Sequence, residues 1–213
     1  NVIAQMSNWE AQSVISRFNR SAAGSAHELP PEFVRVLQAA LHWARLSGGA
    51  LDPAMGALVS LWGFGPRANA LEPHAAVIPA HAEIAAAMRL SGFDKLQWAE
   101  HERRLIQPGG LELDLCGIAK GFAVDGVVER LKQAGWPSGL FEIGGELRSW
   151  GERPDGKAWQ IQLGSGSGEP MGEPVVVPLN DGALATSGDY WHHFSAGGKR
   201  YSHTLDPRTG WPI

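Results

Sequence analysis

Apolar side chains recur at helical spacing between Leu29 and Ser47, where Phe33, Val36, Leu37, Ala40, Leu41 and Ala44 form one stripe. Pro30 and Pro31 suit a first turn, and Gly48-Gly49 suits a C-terminal stop, so the pattern predicts a helix between them. A second helix is expected from Pro53 to Leu61. A third is expected within His74 to Leu90, carried by the Ala-rich run at 83–88 and ending at Gly92. Residues 1–19 read as the end of a helix running into a loop. Further along the pattern changes. Leu111-Glu112-Leu113-Asp114-Leu115 alternates strictly, which predicts a half-buried strand with both acids on one face. Ile118 to Ala134 reads as an amphipathic helix, with Ile118, Phe122, Val127, Val128 and Leu131 on one side and Gly135 as its stop. Strands are expected at Gly139 to Ile143, Leu147 to Trp150, Trp159 to Leu163, Val175 to Leu179 and Lys199 to Leu205. Gly144-Gly145 reads as a bulge or tight turn, and Gly164 to Gly168 as a hairpin tip.

Helices early and hairpin-spaced strands late argue for an α+β fold with an antiparallel-rich mixed sheet in the second half. The regular βαβ alternation of a doubly wound sheet is absent. No internal repeat or long linker divides the 213 residues, so they are read as one domain spanning 1–213.

Composition narrows the function classes. Hydrophobic residues make up 44% and charged residues 19%, which is the balance of a chain that buries a core. The net charge of −4 gives no support to nucleic-acid binding. No apolar run approaches the ~18 residues of a membrane span, so none of this chain is expected to cross a membrane. One cysteine, Cys116, excludes an internal disulfide and any CxxC motif. The nine tryptophans are scattered as core or cleft wall rather than as a stacking stripe.

Three segments carry candidate chemistry. In Leu113 to Gly121 an acid, Asp114, precedes a turn at Gly117 and a helix start bearing Lys120. A helix N-terminus with a lysine favours phosphate, and a capped helix start with a solvated lysine is the plainer reading. In Tyr201 to Gly210, His203 shares a strand face with Tyr201 and Leu205 and lies near Asp206. A half-covered histidine beside a carboxylate is a candidate general base, and equally a common structural pair. In Gly48 to Gly65, the two glycines permit close backbone approach to a ligand, and Trp62 and Phe64 suit the walls of a flat ring or a plain core. The adjacent His192 and His193 point to opposite faces of a strand, and the other histidines lack metal-ligand spacing.

Taken in order, these segments resemble the ApbE family of FAD:protein FMN transferases. The likeness runs through Met6 to Trp9, Ser16 to Asn19, Ser47 to Pro53, Leu61 to Gly65, Asp114 to Gly121, Gly144 to Arg148, Ala185 to Tyr190 and Ser202 to Gly210. It implies a T-fold-like α+β domain that moves the FMN half of FAD to a Thr or Ser hydroxyl of an acceptor protein, with magnesium required and AMP leaving. By the same resemblance, Trp9, Ala50, Leu51, Asp52, Asp114, Lys120 and Leu205 would contact FAD. His203 would be the base, and the Gly117 carbonyl one magnesium ligand. The implied acceptor is a flavoprotein subunit of a membrane electron-transfer system, and the implied place is the periplasm or outer face of the bacterial inner membrane.

Against the family pattern the chain is expected to lack a first strand before Asn1 and a segment after Ile213 whose Asp and Thr supply side-chain magnesium ligands. Two other readings follow: a flavin-binding or assembly protein of the same fold that does not transfer, and an FAD pyrophosphatase that releases free FMN. Cys116, where the family has a small residue, is expected to be sensitive to oxidation.

Overall fold

The computed structural model describes residues 1–66, 77–164, 175–189 and 192–213. The chain divides into two compact units. One comprises Asn1–Gly117 with His192–Ile213, the other Ile118–Trp191.

The first unit opens with two short helices, α1 (Val2–Met6) and α2 (Val14–Asn19), where the pattern had suggested one helix end and a loop. Ser13 caps α2 by accepting the Ser16 N–H at 3.0 Å. After β1 (Ala26–Glu28) comes the long helix α3 (Pro31–Leu46), which buries Phe33, Val36, Leu37, Ala40, Leu41 and Ala44, the stripe read from the sequence. It stops where Gly48 and Gly49 take φ of 59° and 81°, with the Gly49 N–H donating back to the Ala44 carbonyl.

The next helix, α4 (Gly56–Leu61), starts three residues later than Pro53. The Asp52 carboxylate holds the Ala54 N–H, and the Gly56 N–H donates to the Glu112 carbonyl at 2.9 Å. A Cβ at Gly56 would lie 2.8 Å from that carbonyl oxygen, so only glycine fits this close approach. Helix α5 (His81–Leu90) follows; the expected start at His74 lies outside the described residues. Three strands of three residues, β1, β2 (Gln97–Ala99) and β3 (Arg104–Ile106), form an antiparallel sheet in the order β1-β3-β2. Segments this short carry no periodicity, and the sequence pattern gave no sign of them.

Leu111 to Leu115 is extended and alternates as expected: Leu111, Leu113 and Leu115 are buried, while Glu112 and Asp114 are half-buried. It is nevertheless not a strand of any sheet. Its backbone groups go elsewhere. The Leu113 N–H donates to Asn19 Oδ1 at 2.8 Å, and the Leu113 carbonyl accepts from the side-chain amides of Asn19 and Asn8. The Asp114 N–H donates to the Pro53 carbonyl at 2.8 Å. Gln107, with 0% of its surface exposed, donates to the Phe18 and Leu111 carbonyls and accepts from the Gly109 and Leu111 N–H groups. The alternating pattern reports burial correctly, while side-chain amides and a loop take the places of neighbouring strands.

The chain returns to this unit as β9 (His193–Ala196) and β10 (Lys199–Ser202), an antiparallel hairpin. The single strand expected at Lys199 to Leu205 breaks at His203 and Thr204. The Thr204 N–H turns back to Ser202 Oγ, and the next pair, β11 (Leu205–Asp206) with β12 (Trp211–Pro212), forms its own ladder. His203 therefore sits in a bend and not on a strand face shared with Tyr201 and Leu205.

Helix α6 (Cys116–Gln133) begins at the last two residues of the first unit. In the second unit its Val124 and Val128 pack on Trp150, flanked by Leu131 and Phe141. Its sheet is β4 (Gly139–Ile143), β5 (Glu146–Trp150) and β8 (Ala183–Leu184), in that order and antiparallel. Arg148 on β5 reaches Asp125 and Glu129, one turn apart on α6, at 3.0 and 2.9 Å. Gly144 and Gly145 form the tight β4–β5 turn with φ of 58° and 95°. Strands β6 (Trp159–Gln162) and β7 (Val176–Leu179) pair antiparallel; most of the expected Gly164 to Gly168 tip lies outside the described residues. Every strand pairing among the described residues is antiparallel, and none of the described helices is long and apolar enough to cross a membrane.

Gln107→Leu keeps the apolar volume but strands four backbone partners. Unfolding in urea is expected to show a loss of about 3 kcal/mol or more; a change within about 0.5 kcal/mol would contradict the amide's structural role.

Candidate functional site

The first unit gathers most of the residues singled out from the sequence. The extended segment ends at Asp114, whose Oδ1 accepts the Cys116 N–H at 2.8 Å and so caps the start of α6. Among the described residues its Oδ2 has no hydrogen-bond donor. Asp114 thus does the structural job of a cap with one oxygen and keeps the other available to a ligand. Gly117, the second residue of α6, has nothing within 4 Å of where a Cβ would stand, which leaves its backbone approachable.

Asp52 is only 9% exposed. Its Oδ1 takes the Ala54 N–H at 2.7 Å and its Oδ2 the Phe93 N–H at 3.1 Å. Burial pushes its carboxyl above the ordinary range, and the two N–H groups offset part of that rise. Both oxygens are committed to the backbone, so Asp52 shapes the loop that carries exposed Ala50 and half-buried Leu51. That loop hangs on Ser47, whose carbonyl holds the Ala50 N–H and whose hydroxyl holds the Leu51 N–H. Trp9 is 56% exposed. Leu205 lies in a core cluster with Leu58, Trp62, Ile84 and Ala87, so its side chain packs inward.

His203 is held by a main-chain carbonyl. Both its backbone N–H and its ring Nδ1 lie on the His192 carbonyl, at 2.9 and 3.0 Å. A carbonyl only accepts, so Nδ1 carries the hydrogen and Nε2 is the basic nitrogen of the neutral ring. Asp206, the carboxylate expected beside it, makes a two-pronged bond with Arg208 at 2.8 and 2.9 Å. The guanidinium and the Arg208 N–H hold that carboxyl below its ordinary range. The His203 ring stands edge-to-face with Phe64 and with His192.

Trp62 is 3% exposed, and its Nε1–H donates to the Gly210 carbonyl at 2.8 Å. Tyr201 stacks on it and Trp211 meets it edge-on, so Trp62 is a core residue and not a ligand wall; Phe64 is half-buried.

In the second unit Lys120 is exposed and carries an ion pair. Its Nζ lies 2.8 Å from Glu146 Oε2 and 3.4 Å from the Gly144 carbonyl. The contact with Glu146 is an ion pair by distance but lacks hydrogen-bond alignment, and Oε2 has no directed donor among the described residues. The Gly144-Gly145 turn is fixed further by Glu142, which takes the Gly145 N–H at 2.6 Å, and by Thr186, which donates to the Gly145 carbonyl at 3.4 Å. Tyr190, at the end of the segment with Thr186, lies outside the described residues.

The motifs at 113–121, 144–148 and 202–210, met in this order on this antiparallel α+β frame, agree with the family comparison. The ApbE family model matches residues 1–213. The chain belongs to the ApbE family. It is similar to the FAD:protein FMN transferases of Haemophilus influenzae, with 36% identity over all of this chain and 62% of that protein, and of Vibrio cholerae, with 37% identity over 98% and 61%. The flavin transferase ApbE structure from Vibrio cholerae superposes with a TM-score of 0.86 at 36% identity, covering all of this chain and 65% of that one. The apo flavinyl transferase ApbE from Pseudomonas stutzeri gives 0.85 at 37%, covering all of this chain and 64% of that one. The chain therefore spans about three fifths of the length of the curated relatives it matches. These matches show the ApbE fold, α+β with antiparallel sheets, as the sequence pattern had indicated.

The raised pKa of Asp52 sets a sign for pH dependence. Its protonated form suits the folded site better than its charged form. Its contribution is therefore fully present below the ordinary carboxylate pKa and is lost as pH rises through the raised value. The stability of the native protein relative to Asp52→Asn is expected to fall in urea titrations as pH rises from below the ordinary carboxylate pKa through the raised one. A flat or rising difference would contradict the burial argument.

Proposed function

We propose that the protein of which this chain is part transfers the FMN portion of FAD to a Thr or Ser hydroxyl of an acceptor protein, releasing AMP. Family membership along the whole chain supports this reading. The observation that carries it is the seating of His203, whose Nδ1–H is fixed on the His192 carbonyl, so that Nε2 is the basic nitrogen.

The acceptor hydroxyl oxygen attacks the phosphorus of the FMN half. The new P–O ester bond forms as the anhydride P–O bond breaks, and AMP leaves with the electron pair. His203 Nε2 receives the hydroxyl proton, which makes the oxygen a competent nucleophile near neutral pH. In this reading Asp114 Oδ2 accepts a hydrogen bond from the flavin nucleotide. In this reading Lys120, now beside Glu146, exchanges that partner for the diphosphate and neutralises its charge. Exposed Trp9 and the backbone of the Ala50-Leu51 loop are the remaining flavin contacts in this reading, with Asp52 and Leu205 holding their loops.

Magnesium enters from the family resemblance. Among the described residues no three His, Cys, Asp or Glu side chains come together as a metal site, so no step here runs through the ion. The proposed acceptor is a flavoprotein subunit of a membrane electron-transfer system, and the proposed place is the outer face of the bacterial inner membrane.

With the full-length protein, FAD, magnesium and a Thr-bearing acceptor, AMP release should accompany covalent flavin fluorescence on the denatured acceptor. His203→Ala should lower transfer by about 100-fold or more while FAD affinity stays within about twofold. An unchanged transfer rate would remove His203 as the base. Free FMN in place of protein-bound flavin would make water the acceptor.

A further inference from the structure

The bend at His203 is furnished on two sides. On one, the His192 peptide carbonyl receives both the His203 backbone N–H and Nδ1–H, and the His192 ring stands 5.4 Å from the His203 ring at 71°. On the other, the Phe64 ring stands 6.3 Å away, also at 71°. An edge-to-face contact of this kind favours one orientation of the imidazole plane. Phe64 is itself packed against another ring. It stacks on Phe194 at 5.8 Å, Phe194 stacks on Tyr201 at 5.2 Å, and Tyr201 stacks on Trp62 at 5.7 Å. Trp62 is pinned in turn by its indole N–H on the Gly210 carbonyl. A chain of ring contacts thus connects the imidazole to a buried, hydrogen-bonded tryptophan.

We propose that Phe64 is a positioning residue for His203. Its ring, backed by the Phe194-Tyr201-Trp62 stack, keeps the imidazole plane where Nδ1–H meets the His192 carbonyl, and so keeps Nε2 as the proton acceptor. A freely rotating histidine would divide between two tautomers and many ring orientations, and only a fraction would present a lone pair to the acceptor hydroxyl. Phe64 touches no reacting atom in this arrangement. Its effect is on the population of the competent ring, and therefore on kcat rather than on FAD affinity. The inference rests on the transfer reading above for its kinetic part, whereas its tautomer part stands without it.

The test uses the full-length protein with nitrogen-15-labelled histidine. In the native protein the nitrogen shifts of His203 should be those of a single neutral Nδ1–H tautomer. Phe64→Leu keeps apolar volume in the core cluster but removes the ring. It should mix the tautomers and lower kcat by about 10- to 100-fold, with KM for FAD within about twofold. Phe64→Tyr restores an aromatic ring and should recover both readouts, which separates positioning from a loss of folding. An Nε2–H tautomer in the native protein would overturn the inference. So would a Phe64→Leu protein that keeps the native tautomer, or one that loses it at an unchanged kcat. If His203→Ala transfers at the full rate while the tautomer results hold, the base assignment fails and the seating of the ring stands. If His203→Ala is slow but Phe64→Leu is unchanged, only the role of Phe64 is lost.

Discussion

The fold of the first unit depends on how one extended segment, Leu111 to Leu115, has its backbone satisfied. Three buried leucines anchor it on one face. A segment buried this way must hydrogen-bond its N–H and C=O groups or lose about 1–3 kcal/mol for each group left unsatisfied. No neighbouring strand does this. The amides of Asn8, Asn19 and Gln107 do, together with the Pro53 carbonyl and the Gly56 N–H. Each of these donors and acceptors belongs to a different local element, so the segment ties α1–α2, the loop before α4 and the β3 exit to one another.

The functional geometry follows from that tie. The segment ends at Asp114, whose position fixes where α6 begins and which carboxylate oxygen binds the helix start. The same loop that gives the Pro53 carbonyl to the Asp114 N–H is shaped by Asp52, a buried acid committed to backbone N–H groups. His203 is seated by a parallel device: a main-chain carbonyl fixes the ring nitrogen and aromatic side chains fix the plane. In both places main-chain groups orient the side chain. The ion pair of Asp206 with Arg208 holds a turn in the first unit, and that of Lys120 with Glu146 lies within the second.

Much of this was legible in the sequence. The α3 stripe, the glycine stops at Gly48 and Gly135, the β4–β5 hairpin and the core face of α6 at Val128 all follow from periodicity and turn chemistry. Asp114 and His203 were marked by residue type and by the family resemblance. The rest was not legible, for physical reasons. Periodicity reports burial but not hydrogen-bond partners, so Leu111 to Leu115 read as a strand. Sequence proximity suggested Asp206 as the partner of His203, whereas Arg208, two residues further on, satisfies that carboxylate in a turn. The His192 carbonyl is a main-chain group that no side-chain pattern can mark. The strands β1, β2 and β3 are three residues each, too short to show alternation, and β1 finds its partner β3 only from Ala26–Glu28 across to Arg104–Ile106.

Amide hydrogen exchange at Leu111, Leu113 and Asp114 tests the central point directly, because these N–H groups belong to no helix and no sheet. If side-chain amides and the Pro53 carbonyl lock the segment, these three should exchange as slowly as the buried turns of α3, opening only with global unfolding. Exchange at the rate of exposed loops, with α3 still protected, would show that the segment is held by its leucines alone and would contradict the account.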